Sequence, residues 1–235
     1  MRTSRLARIS SLRAAIILVA AGFALLGSAG SVRADDKAEA EELVEQARQT
    51  LQTFLQDSSF TDWKGHYRKA EGFLVFPSVV RGGVILGGSG GTGVLIVKDE
   101  KSGWLGPAFY TVGGGSLGLQ LGVQVSEVLV LVTTERGVTQ LLTTGAKIGM
   151  DSSVAAGTAS AGAGSATADL IGVSLSRGLY AGMSLDGSVI AVRSSLNRAY
   201  YGKPVHPAEI LAGAVRNAQA DGLKKAATAL AQGGK

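Results

Sequence analysis

The chain predicts an α+β fold that is mainly β: a compact glycine-rich β domain, barrel-like in one reading, flanked by N- and C-terminal helices. Three observations carry this. Between residues 72 and 193, short β-branched runs alternate with glycine or charged turns. Apolar residues at three- and four-residue spacing bracket that region on both sides. The chain also holds 34 glycines with only four prolines and no cysteine, about twice the ordinary glycine share, so their positions need local explanations.

The first 34 residues read as a cleavable export signal. Arg2, Arg5, Arg8 and Arg13 give a basic head, residues 14–26 an apolar run, and Val32-Arg33-Ala34 a cleavage site that leaves Asp35 first. The rival reading, a retained anchor, needs ~20 apolar residues; this run is shorter and is interrupted by Gly22. No cysteine follows it to take an acyl chain. The expected location is therefore the periplasm or the exterior, with no lipid anchor.

Processing changes the electrostatics. The whole chain has 23 Lys+Arg against 18 Asp+Glu, and the signal accounts for five of those arginines, Arg33 included. Removing them leaves 18 against 18, so no global positive field remains to attract nucleic acid. The absence of cysteine also excludes disulfides, thiolate catalysis and Cys-based zinc sites.

Residues 36–58 predict a helix, with Leu43, Ala47, Leu51 and Phe54 on one face and Asp35/Asp36 at the favourable N-terminal end. A second helix is expected over 62–70, capped by Asp62, with Trp63 and Tyr67 on one face and Lys64 and Arg68 on the next. From Trp63 to Arg81 there are four Lys or Arg and a single acid, Glu71, the most cationic stretch after the signal.

The β region spans about 72–193. Runs at 73–76, 84–86, 94–97 and 128–132 read as strands, with glycines between them as turns. Leu117, Leu119, Leu121, Val123 and Val125 alternate with Gly118, Gln120, Gly122, Gln124 and Ser126, predicting one strand with an aliphatic core face and a Gly/Gln groove face. Residues 135–144 suggest a helix, 155–168 a tight strand or a loop, and 170–175, 178–183 and 188–192 further strands. Pro207 suits the first position of a closing helix, and residues 218–235 read as a weakly helical tail, with a weak alanine-rich helix over 221–231 that frays into Gly233-Gly234-Lys235.

Several motifs invite a chemical reading. Residues 88–93 and 113–118 both fit G-x-G-x-x-G, but strands rather than helices are expected to follow, so no helix N-terminus meets a phosphate. Residues 87–91 fit the G-x-S-x-G elbow around Ser89, which also needs a following helix, and its base would have to be His66 or His206. Neither histidine has the paired spacing of a metal site. No catalytic residue, metal or cofactor is assigned.

At the glycine-rich strands the sequence becomes recognisable. The blocks Ala70-Glu71-Gly72-Phe73-Leu74-Val75-Phe76-Pro77 and Gly82-Gly83-Val84-Ile85-Leu86-Gly87-Gly88-Ser89-Gly90-Gly91-Thr92-Gly93 resemble the opening of the SYLF domain, a lipid-binding family. The likeness continues through Trp104-Leu105-Gly106-Pro107, Gly114-Gly115-Ser116-Leu117-Gly118, Ser176-Arg177-Gly178-Leu179-Tyr180 and Asn197-Arg198-Ala199-Tyr200-Tyr201-Gly202, covering roughly residues 40–215. It departs at Thr158, where the family usually has proline. The resemblance implies binding of membrane phospholipids without enzymatic activity, and in some members actin bundling, a role that an exported chain is not expected to share.

The headgroup candidates are Lys64, Arg68, Lys69 and Arg81, with Trp63 and Tyr67 either at the membrane interface or packed inward beneath solvated charges. Two other classes stay open: a structural or partner-binding envelope protein using Gln120 and Gln124, and a serine hydrolase built on Ser89.

Overall fold

Phe73 and Val75 point to one side of their strand and Leu74 and Phe76 to the other, and all four are buried, so the sheet has to be covered on both faces. A computed structural model describes residues 32–83, 86–117, 122–143, 147–148, 154–158, 169–177 and 188–233. Asp36–Lys235 is one compact unit. Residues 1–31, the strand expected at 178–183, and residues 159–168 lie outside the described residues.

The chain opens with α1 (Val32–Gln56), a 3-10 turn (Ser58–Trp63) and α2 (Lys64–Lys69). It then builds β1 (Gly72–Gly83), β2 (Leu86–Asp99), β3 (Gly103–Leu117) and β4 (Gly122–Val132). After α3 (Glu135–Thr143) come β5 (Lys147–Ile148), β6 (Val154–Thr158), β7 (Leu170–Arg177) and β8 (Ser188–Val192). The chain finishes with α4 (Ser194–Tyr201), α5 (Pro207–Leu211) and α6 (Asp221–Gln232).

The strands order as β5-β8-β3-β2-β1-β4-β7-β6. Six antiparallel strands, from β8 to β7, form the body. The two-residue β5 pairs with one edge and β6 runs parallel to β7 at the other. Among the described residues the sheet has two ends, so the barrel-like reading is replaced by an open sheet.

One face packs on α1, α2, α4 and α6 through Leu51, Phe54, Tyr67, Leu196 and Leu223 over Phe73, Val75, Ile96 and Phe109. The other packs on α3 and α5, with Leu141, Ile210 and Leu211 over Leu74, Leu95, Tyr110 and Val130. Polar ties fix α1 across its face. Thr50 Oγ1 donates to Glu127 Oε2 at 2.9 Å, and Arg193 donates to Glu39 Oε2 at 2.9 Å and to Thr92 Oγ1 at 2.7 Å. Pro207 takes the first turn of α5 as expected, and His206 N–H donates to Glu209 Oε2 at 2.8 Å.

Several local expectations are corrected. The glycine run 87–93 is not a turn but the first half of β2. The register of β1 against β2 shifts between Val75 and Ser78, around Pro77, and the displaced backbone crowds its neighbour. A Cβ on Gly93 would lie 2.3 Å from Val75 O, and one on Gly91 2.5 Å from Ser78 O. The alternation of 117–125 is not one strand either: Leu117 ends β3, Gly122 starts β4, and β2 and β1 lie between them.

In β4 the predicted faces are reversed. Gln124 and Ser126 are buried, whereas Val123 is 74% exposed and Val125 41%. The valines share the face crossed by α1 at Glu127 but lie beyond that crossing. Asp62 does not cap α2; Asp57 caps the preceding 3-10 turn instead, accepting from Ser59 N at 2.8 Å. The alanine-rich helix expected over 221–231 forms as α6, but it is not a weak tail: its Leu223, Ala226, Ala227 and Leu230 are core residues.

Candidate basic surface and adjoining cleft

The short helix α2 has no side-chain N-cap and opens on Gly-containing Lys64-Gly65, so local propensity alone does not hold it. Its anchors are aromatic. Trp63 is 4% exposed and Tyr67 2%, both in the core with Phe54 and Phe60, whose ring centroids are 4.9 Å apart. His66 lies half-buried with its ring 5.2 Å from that of Trp63. The inward reading of the aromatic pair is thus the observed one, and neither ring is presented at the surface.

What α2 does present is charge. Lys64, Arg68 and Lys69 are exposed, and among the described residues none of them forms an ion pair. Lys64 also lines a crevice of about 220 Å³ with Asp57, Tyr67 and Gly233. Burial, with the Asp57 charge adding to it, pushes the Tyr67 phenol well above the ordinary tyrosine value.

Arg81 does not join this group. It sits in β1 opposite Ser89 and Gln124, nine residues beyond Gly72, which at ~3.3 Å per residue is about 30 Å along the strand. Its side chain is only partly exposed and has interaction partners of its own. The Gly/Gln groove loses its premise as well, because Gln124 is buried; Gln120 lies outside the described residues.

Ser89 is in the middle of a strand, with β2 continuing to Asp99, so the strand-to-helix elbow is not formed. Its nearest cross-strand neighbours are Gly114 and Arg81, at the opposite end of β1 from the α2 segment that carries His66. Gly88, Gly93, Gly113 and Gly115 likewise lie within β2 and β3 rather than at helix starts. Among the described residues no cluster of His, Asp or Glu could hold a metal ion. No described helix is long and apolar enough to cross a membrane.

Sequence reasoning passed over a second basic feature. Arg216, Lys224 and Lys225 line a cleft of about 350 Å³ between α6 and the turn joining β2 to β3. The signal in the sequence is a Lys-Lys pair on an amphipathic alanine-rich segment, and it becomes a site feature only through the packing of that segment. Burial lowers Lys224 below the ordinary lysine value; Asp221 pulls it back up, and Arg216 pushes it further down.

Comparison with known proteins gives a consistent family match. Residues 113–230 match the family model described as "Ysc84: Las17-binding protein actin regulator". An SH3 domain-containing protein of Schizosaccharomyces pombe, PJ696.02, is 30% identical over 178 residues, covering 72% of this chain and 40% of the relative. SH3 domain-containing YSC84-like protein 1 of Homo sapiens is 29% identical over 162 residues, covering 66% and 47%. LAS seventeen-binding protein 3 of Saccharomyces cerevisiae is 28% identical over 158 residues, covering 63% and 34%. The chain therefore spans less than half the length of these relatives. No solved structure matches it.

Proposed function

The chain belongs to the Ysc84/SYLF family, and on that premise we propose that it is an exported, non-enzymatic protein that binds anionic membrane phospholipid through Lys64, Arg68 and Lys69. The observation that carries this reading is the exposure of three cations, without an ion pair among the described residues, on a helix that buried Trp63 and Tyr67 anchor. Because the charges balance once residues 1–34 are removed, membrane affinity rests on this local patch and not on net charge. A basic side chain near an anionic leaflet contributes about 1 kcal/mol, so three together supply roughly a hundredfold preference over a neutral surface. The buried positions of Trp63 and Tyr67 make the contact electrostatic rather than insertive. Arg81 is left out of the site.

A protein partner is the second reading, favoured by the family's description and by the Las17-binding relative in yeast. The two readings separate in a sedimentation assay of the purified protein with phosphatidylglycerol-containing and pure phosphatidylcholine liposomes. Headgroup binding predicts pelleting with the anionic vesicles at low salt and loss of it as salt shortens the Debye length to about 10 Å at 0.1 M. Equal behaviour with both vesicle types, or no pelleting at low salt, removes the lipid reading and leaves the partner reading. The export reading is checked separately by intact-mass measurement of protein recovered from its native compartment, where Asp35 is the expected first residue.

A further inference from the structure

The cleft between α6 and the β2–β3 turn is lined by residues that the α2 patch does not use, since Lys64 meets only the far end of α6 at Gly233, and its charge is unbalanced. Arg216 is delivered by the residue that follows it. Asn217 caps the 3-10 turn Ala218–Ala220 by accepting from Gln219 N at 3.1 Å, and its Nδ2 donates to Tyr200 O at 3.1 Å, tying the segment to α4. Lys224 and Lys225 follow in the first turns of α6, which the buried Leu223, Ala226 and Ala227 hold in place. On the opposite wall, Trp104 stacks on Phe73 with centroids 4.9 Å apart and lies beside Leu105, giving that wall an apolar part.

The nearby acids offset these cations only in part. Asp99 is consumed by its own turn: Oδ1 accepts from Ser102 N at 2.6 Å and Lys101 N at 3.1 Å, contacts that hold its carboxyl below the ordinary value. Among the described residues Asp221 is the one carboxylate lining the cleft, and it forms no ion pair. Three cations against one anion leave a formal charge of about +2 over a cleft of about 350 Å³, close to the −1.5 to −2 of a phosphomonoester at neutral pH. Burial is what chiefly depresses Lys224, with Asp221 opposing the fall and Arg216 adding a smaller push to it, and a bound anion would favour its charged form.

We propose that this cleft is a phosphomonoester-binding site, with Arg216 offering its planar fork and Lys224 and Lys225 two point charges to a terminal phosphate. The Thr228 hydroxyl takes no donor role there, because it already donates to Lys224 O at 2.9 Å. The site goes beyond the α2 surface and stands or falls independently of it. The phosphate can belong to a soluble phosphomonoester or to a lipid whose headgroup ends in phosphate.

The full chain is titrated with inorganic phosphate at low ionic strength while backbone amide resonances are followed by NMR. Saturable shifts at Gly103, Lys225 and Thr228 are expected, with an affinity reduced about tenfold or more in Arg216→Gln/Lys224→Met and reduced far less in Lys64→Gln/Arg68→Gln/Lys69→Gln, which removes the α2 charges without reversing their field. Lys225→Gln, at an exposed position, gives a second test if the double variant folds poorly. Absence of saturable shifts, or full affinity in both cleft variants, overturns the site whatever the α2 variant does with membranes. Liposomes containing phosphatidic acid then identify the source. Retention above that on phosphatidylglycerol liposomes of equal surface charge, lost in the cleft variants, assigns the phosphate to a lipid headgroup. Equal retention beside intact phosphate binding assigns it to a soluble ligand.

Discussion

Gly93 shows most sharply how single residues fix this fold. Its missing side chain lets the displaced strand β1 pass against β2, with Val75 O and the Phe76 ring occupying the space that a Cβ would need. Gly93→Ala is expected to destabilise the protein by about 1–3 kcal/mol in urea titration, as overpacking does. Gly65→Ala, where nothing lies within 4 Å, should be neutral or stabilising by up to about 1 kcal/mol. The sequence marked these glycines as unusual but not their purpose, because the bulge that demands Gly93 belongs to a different strand. Buried phenols are a second residue-scale signature. Tyr67, Tyr110, Tyr200 and Tyr201 all have hydroxyls raised above the ordinary tyrosine value, with burial the leading cause in each. A raised acid favours the folded state below the unfolded pKa of about 10 and loses that advantage as pH climbs above it. Phenolate absorbance should therefore lag at pH 10 and rise together with the loss of circular dichroism at higher pH. Independent titration of all tyrosines near pH 10 in the folded protein would contradict the burial.

At the scale of elements, helices were easier to read than strands. The α1 stripe of Leu43, Ala47, Leu51 and Phe54 is buried as its spacing requires, and α3 and α5 fall where their patterns place them. β4 shows why strands were harder. Its alternation is genuine, but which face is core depends on where α1 crosses, a tertiary fact that a period of two cannot encode. For α6 the weakness was compositional, since an alanine-rich segment gives little hydrophobic contrast, yet it closes the core and supplies one wall of the cleft. Leu230→Ala is expected to cost about 2–5 kcal/mol, the range for a buried leucine, where a frayed tail would lose almost nothing. Equilibrium unfolding of that single variant decides between the two.

For the molecule as a whole, the cationic residues of both proposed sites are carried by the helical layer that includes α2 and α6, while the hairpin half of β1 and β4 exposes Val80, Val123 and Val125. The α2 cations were readable from sequence because they are adjacent in the chain. Arg81 falls in the same cationic stretch of sequence, and the strand carries it away from them. The α6 cleft was not readable, because its walls are separated by more than a hundred residues. The central claim is that Lys64, Arg68 and Lys69 form the membrane-facing charge. It is tested most directly by comparing the purified wild-type protein with Lys64→Glu/Arg68→Glu/Lys69→Glu in co-sedimentation with phosphatidylglycerol liposomes at low salt, both proteins having matched circular dichroism. The account predicts a loss of partitioning of about a hundredfold or more on charge reversal. Undiminished partitioning of the folded variant would contradict it.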